Sequence, residues 1–278
     1  MGLLSKRAQS IDKLQQQINI FACPLCQQQM SISNEGKMSC PSNHSFDVAK
    51  QGYIYLLSRP VQSMYGKELF QSRHEVITEG LYDIMQQTIA QEIMTKQAVI
   101  LDIGCGEGSH LHRICQQLED AVGIGVDISK EGIIAAAKFY EEQIWCVGDL
   151  ANSPYNEASF DVILNILSPA NYEEFKRLLK PGGKVIKVVP QENYLKELRV
   201  QAFADSEKEN YTNEQTVARF KASFHTVDVK RVTYTIPLKP ELVHKLLKMT
   251  PMGWHIEQKE NIELQQITID LDILIGME

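Results

Sequence analysis

Four residues near the start of the chain have the types and spacing of a metal site: Cys23-Pro-Leu-Cys26 and, after a gap of 13 residues, Cys40-Pro-Ser-Asn-His44. A Cys-x2-Cys turn sets two thiolates on one edge of a tetrahedron, and a second pair carried over by a hairpin completes it. Pro24 favours the tight turn, and Asn34-Glu-Gly36 supplies a hairpin tip in mid-gap. With all four positions taken by protein, the predicted Zn2+ site is closed, and hence structural rather than catalytic. Residues 21–57 hold too little apolar material for a core of their own, so the metal is expected as their staple. Cys105, Cys115 and Cys146 fall in apolar stretches and read as small core hydrophobes.

A second constellation starts at an apolar run, Ala98-Val-Ile-Leu-Asp102-Ile-Gly104-Cys-Gly106-Glu107-Gly108. A strand ending in a tight glycine turn that opens a helix lets a ligand approach the backbone at the carboxyl edge of a sheet. Alone the signal is weak: a dinucleotide loop wants G-x-G-x-x-G, and Ser109 stands where the last glycine belongs. Asp127 lies 25 residues beyond Asp102 at the end of the next apolar run. A carboxylate there accepts both hydroxyls of a ribose, which predicts a ligand with a nucleoside part. Asp149-Leu150 follows a third run and suits an exocyclic amine such as adenine N6, and Pro181-Gly-Gly183 turns into a fifth.

The elements that must position these residues follow from periodicity. Residues 68–96 carry apolar side chains at helical spacing, split at Gly80. Strands are expected at 98–103, 122–126, 144–147, 160–167 and 184–189. Helices are expected between them at 108–118, 130–140 behind a Ser129 cap, and 172–179. Such alternation indicates a parallel sheet covered on both faces. Two β-patterned stretches, 224–236 and 262–275, flank a helix at 241–248 and are expected to close the sheet. Residues 1–20 read either as a short amphipathic helix, on Ile11, Leu14 and Ile18, or as a loose leader. Residues 58–67 read as a linker, giving units at 1–20, 21–60 and 61–278.

At 278 residues, 44% hydrophobic and 23% charged, the chain has an ordinary globular composition. A net charge of −7 excludes a generally basic nucleic-acid coat, yet residues 1–60 hold six Lys/Arg against three Asp/Glu. No apolar run approaches the roughly 20 residues of a membrane span, and no signal peptide is evident, so a cytoplasmic protein with reduced thiols is expected.

Residues 98–190 resemble the class I S-adenosylmethionine (SAM)-dependent methyltransferases, which implies an α/β, Rossmann-like sheet carrying a small N-terminal zinc-binding module. The resemblance implies that Asp102, Gly104, Gly106 and Glu107 line the methionine end of SAM. It likewise implies that Asp127 and Ile128 hold ribose and adenine, that Asp149 and Leu150 meet the adenine edge, and that Asn165, ending the fourth strand, faces the substrate as the candidate catalytic residue. The segments Cys23-Pro-Leu-Cys26, Cys40-Pro-x2-His44-x-Phe46-Asp47-x-Ala49-Lys50-x-Gly52-Tyr53 and Lys180-Pro-Gly-Gly183 are similar to the zinc-ribbon and catalytic segments of 23S rRNA (guanine-N1)-methyltransferases, over residues 21 to about 200. That similarity implies methyl transfer to guanine N1 and a zinc module that grips an RNA hairpin. It also implies cofactor contacts from Tyr82, within Glu79-Gly-Leu-Tyr82, and from Tyr194, which stands where the family has His. After Leu57 the chain departs from the family's basic Lys/Arg-Ser run and Pro-Gly-Asp: its linker is shorter, and residues 58–68 have Arg59 and Lys67 as their only cations.

The residues leave other points open. Asp161 reads as a group at a strand start; Ser168-Pro169 is placed to touch a base edge; Phe46, Lys50, Tyr53 and Tyr55 either contact RNA or pack the module. The acidic body also suits a small-molecule SAM-dependent methyltransferase with a structural zinc module. A non-catalytic binding module is disfavoured by the intact loop and Asp127, and a homodimer is compatible with the sequence.

Overall fold

The computed structural model describes residues 4–59, 61, 65–203, 212–255 and 262–278. Helix α1 (Lys6–Gln16) is capped by Ser5, whose hydroxyl accepts from Ala8 N, and it buries Ile11 and Leu14. Of the two alternatives for this segment, the amphipathic helix is the one formed. Next comes a small antiparallel sheet of β1 (Ser31–Ile32), β2 (Lys37–Ser39) and β3 (Ser45–Asp47), with Met38 buried at its centre. Strand β4 (Tyr53–Tyr55) leaves that sheet for a larger one. The expected linker lies partly outside the described residues, and α2 (Lys67–Thr78) and α3 (Asp83–Glu92) follow, divided around Gly80 as the sequence predicts.

The large sheet is built from β5 (Val99–Ile103), β6 (Val122–Asp127), β7 (Ile144–Val147), β8 (Phe160–Ile166) and β9 (Leu179–Pro190). The intervening helices are α4 (Ser109–Cys115), α5 (Lys130–Phe139) and α6 (Tyr172–Leu178). Beyond β9 come α7 (Lys196–Phe203), α8 (Glu214–Ser223), β10 (Thr226–Pro237), α9 (Pro240–Met249) and β11 (Gln266–Met277). The eight strands run in the order β10-β11-β9-β8-β5-β6-β7-β4, parallel throughout except at the β11–β9 and β10–β11 pairs. The last two strands begin two to four residues later than the pattern suggested, and α7 and α8 have no counterpart in the sequence reading.

Runs rich in Val, Ile and Leu suit β5 to β9 because both faces are covered. One face packs Ile77, Met85, Leu111, Ile133 and Leu246; the other packs Phe160, Phe175 and Leu274. Leu14, Phe21, Cys23, Met38 and Leu56 belong to that second core, so the N-terminal segment is welded onto the sheet rather than hung beside it. Tyr53 is buried in the first core, Phe46 and Tyr55 are half-buried against the cores, and Lys50 beside them is exposed.

Candidate active site and metal centre

Two tight turns present the metal-site residues. In the first, Gln27 N donates to Cys23 O and Gln27 adopts a left-handed conformation; in the second, Asn43 N donates to Cys40 O and Asn43 does the same. The four ligand atoms of Cys23, Cys26, Cys40 and His44 lie within 4.8 Å of one another. Three separations are 3.5 Å (Cys23 Sγ to His44 Nδ1), 3.5 Å (Cys40 Sγ to His44 Nδ1) and 3.6 Å (Cys26 Sγ to Cys40 Sγ). A tetrahedron with bonds of about 2.0–2.3 Å has edges of about 3.3–3.8 Å, so the quartet fits Zn2+. Burial pushes the Cys23 thiol up to about 11. A divalent cation offsets that penalty by pairing with the thiolate directly.

The sequence-predicted SAM residues converge at the carboxyl ends of β5, β6 and β7. Gly104 (φ +75°) lies against Ser168, since a Cβ there would sit 2.8 Å from Ser168 Cβ. Gly108 (φ +81°) lies under Trp145, whose ring would be 2.3 Å from an added Cβ. Asp127 braces the loop from the neighbouring strand: Oδ2 accepts from Gly106 N at 2.8 Å and Oδ1 from Ser129 N at 2.7 Å. Each oxygen keeps a further lone pair for a ligand. Ile128 is exposed beside it (41%), and Asp149, half-buried, caps the Leu150–Asn152 turn through Oδ1 to Ala151 N. Leu150 is half-buried.

Three buried or largely buried carboxylates, Asp102, Glu107 and Asp127, share one cation, Arg73 of α2, whose Nε lies 3.0 Å from Glu107 Oε2. Burial raises all three above the usual carboxylate range, against the pull of Arg73; Asp102, with Glu107 and Asp127 adding repulsion, reaches about 7. Asp102 Oδ1 and Glu107 Oε1 lack hydrogen-bond partners among the described residues. An excess of buried negative charge with open acceptors suits a cationic ligand end, and SAM carries both an ammonium and a sulfonium.

A cleft of about 410 Å³ adjoins this loop, lined by Arg73, Tyr82, His110, Ser168, Lys187 and Tyr194 among others. Tyr82 and Tyr194, both buried, meet hydroxyl to hydroxyl at 2.6 Å. Asn165 is fully buried beneath the cleft, its Nδ2 donating to Ser168 Oγ (2.5 Å), Pro169 O (2.9 Å) and Ile103 O (3.3 Å). Asp161 accepts from Val99 N and pairs with Lys180, a structural tie at the far end of the strands. Sequence reasoning missed Arg73 and Lys187. Each had a legible signal: Arg73 sits on the buried stripe of α2 with Phe70 and Ile77, and Lys187 interrupts the apolar run of β9.

The metal centre and the loop after β7 are tied together. Asn152 Nδ2 donates to Pro24 O at 2.7 Å, Ala22 N to Pro154 O at 3.0 Å, and Asn156 N to Ile20 O at 2.8 Å.

Residues 21–67 match the family model described as RlmA, N-terminal, and residues 100–183 one described as a methyltransferase domain. The chain is 40% identical over 275 residues to the Bacillus subtilis (strain 168) protein named "Putative 23S rRNA (guanine-N(1)-)-methyltransferase YxjB", covering 94% of this chain and 98% of that one. It is 28% identical to the 23S rRNA (guanine(748)-N(1))-methyltransferase of Streptomyces fradiae, over 87% and 89% of the two chains. Among solved structures, Haemonchus contortus phosphoethanolamine N-methyltransferase 2 matches with a TM-score of 0.51 at 14% identity, over 78% of this chain and 59% of that one, a likeness of fold alone. The chain belongs to the family of SAM-dependent, zinc-ribbon 23S rRNA (guanine-N1)-methyltransferases.

Proposed function

We propose that this enzyme transfers a methyl group from SAM to N1 of a guanine in a hairpin of 23S rRNA, in the cytoplasm, as a monomer or a homodimer. Residues 21–60 serve as the RNA-gripping zinc module and residues 61–278 as the methyltransferase domain. The observation that carries the reading is the joining of an intact four-ligand knuckle to the cofactor end of the sheet: Pro24 O accepts from Asn152, two residues beyond Leu150. In this reading the module that holds RNA sits beside the adenine end of the cofactor site, which supports a single surface serving both ligands.

In this reading Asp102 and Glu107, with Arg73 balancing their charge, hold the amino-acid end of the cofactor across Gly104 and Gly106. Asp127 takes the ribose, Ile128 and Leu150 flank adenine, and Asp149 meets its amine edge. Tyr82 and Tyr194 close the cleft behind. Bound SAM supplies a methyl group activated by its sulfonium. The chain's part is to hold guanine N1 in line with that methyl at about 3 Å and to keep water out. N1 carries a proton near neutral pH, which must leave as the new bond forms. The cleft is of small-ligand size, so the guanine enters it splayed out from the hairpin. Asn165 is a positioning residue here, holding Ser168 and Lys187 at the cleft floor.

Lys37, Lys50, Arg59 and Lys67 are exposed and make no ion pair among the described residues, leaving them available to phosphates. The test is transfer of labelled methyl from SAM to unmodified large-subunit RNA, followed by digestion to nucleosides. Label in 1-methylguanosine is expected. Label in another nucleoside refutes the target atom, and unlabelled RNA alongside clear SAM binding points to a small-molecule acceptor instead.

A further inference from the structure

Strand β9 crosses the centre of the sheet with Val185, Ile186, Val188 and Val189 buried, and among them stands Lys187, only 3% exposed. It lies opposite Asn165 in the β8–β9 register. Its ammonium nitrogen donates to Asn165 Oδ1 at 2.5 Å and to Ser168 O at 2.9 Å. The Asn165 amide is oriented independently, because its Nδ2 donates to the carbonyls of Ile103 and Pro169. Ser168 in turn abuts Gly104 of the glycine loop. Lys187 thus sits one residue behind that loop and is among the residues that line the cleft.

The charged and titratable groups around it are otherwise engaged. Asp272 of β11, one step along the sheet opposite Val189, accepts from Gln191 and Asn213. Across the cleft, Arg73 pairs with Glu107, His110 is held neutral by burial, and Tyr82 and Tyr194 bond to each other. On α8, Arg219 lies over the Tyr172 ring. Among the described residues no carboxylate pairs with Lys187. Burial without a counter-ion disfavours an ammonium, and it lowers Lys187 to about 8.

We propose that Lys187 is the catalytic proton acceptor for guanine N1, an inference that rests on the guanine-N1 reading above. With two N–H bonds directed at Asn165 and Ser168, a tetrahedral amine has one direction left, which holds a lone pair when neutral and a third N–H when charged. In the reaction the N1–H bond breaks and its proton moves onto Nζ. The N1 electron pair forms the bond to the methyl carbon while the pair of the C–S bond returns to sulfur. Nζ then releases the proton to solvent. The products are 1-methylguanine, S-adenosylhomocysteine and one proton.

Single-turnover methyl transfer to unmodified large-subunit RNA tests this. The wild-type rate should rise about tenfold per pH unit below about 8 and level off above it. Lys187→Arg keeps donors and charge but cannot release a proton in this range, and Lys187→Met lacks both. Each should lose about 10²–10⁴ of the rate together with the pH dependence, while SAM affinity by calorimetry stays within about threefold. A readout free of turnover is the NMR titration of lysine ¹³Cε-labelled enzyme, in which the signal missing from Lys187→Arg should titrate near 8. Full rate in Lys187→Arg, a flat wild-type profile, or titration at the ordinary lysine value of about 10 overturns the inference. RNA left unlabelled by the wild type overturns the guanine-N1 reading and the inference with it. Equal production of 1-methylguanosine by wild type and Lys187→Arg overturns the inference alone.

Discussion

Asp102 is where the binding chemistry of the site opposes the stability of the unliganded fold. Its carboxyl is raised to about 7 by burial, with Asp127 and Glu107 adding to the effect. A group raised in the folded state contributes stability that is complete below its unfolded value, about 3.9, and lost as pH climbs through the folded value. Above pH 7 the cofactor-free protein therefore carries an ionised, poorly partnered charge in its interior. Asp102→Asn should melt higher than wild type at pH 8 without SAM, by on the order of a few kcal/mol, with the difference vanishing below pH 4. Calorimetry should show the opposite for the ligand: wild-type SAM affinity tightens between pH 6 and 8, and the variant binds about 1–3 kcal/mol more weakly with no such trend. A variant less stable than wild type at pH 8 would contradict the burial argument.

At the scale of elements, the glycine turn is held by packing as much as by its own conformation. Gly108 combines a left-handed backbone with the Trp145 ring in the space of a Cβ. Gly108→Ala should destabilise the protein by about 3 kcal/mol, summing backbone strain and overpacking, as measured by urea unfolding. A loss below about 1 kcal/mol would mean that Trp145 swings aside freely. The turn after β7 is tied in the same way to the metal centre, so Cys26→Ser should release zinc and weaken SAM binding severalfold, with Asn152→Ala reproducing the second effect alone. Unchanged SAM affinity in the zinc-free variant would show that the two sites are independent. The glycine loop, Asp127 and β5 to β9 were legible in the sequence because long apolar runs and glycine spacing are local signals. The pairing of β4 with β7, which sets Tyr53 opposite Trp145, joins distant stretches that no local pattern links. Helices α7 and α8 were missed because their exposed, polar faces weaken the helical period. Lys187 and Arg73 were missed because one charge within an apolar pattern reads as a defect until its partners are seen.

The molecule as a whole carries a net charge of −7, yet under the proposed function it must hold a polyanion, so RNA contact depends on cations that no carboxylate has already neutralised. Among the described residues, most lysines and arginines of the sheet region are tied to carboxylates, as Lys230 is to Glu92, Arg231 to Asp270 and Lys245 to Glu75. Lys37, Lys50, Arg59 and Lys67 are not. If these four supply the phosphate contacts, the logarithm of RNA affinity should fall against the logarithm of salt with a slope of only about −3, far shallower than for a generally basic protein. Replacing Lys37 and Lys50 together by Ala should flatten that slope to about −1.5 and weaken binding at low salt, leaving SAM affinity and melting temperature unchanged. Fluorescence anisotropy of a labelled large-subunit hairpin between 50 and 300 mM salt reads both quantities. A slope untouched by the double substitution would move the RNA surface off the zinc module and onto the rim of the cleft. The knuckle would then be a clamp on the cofactor loop and not a hand on the RNA.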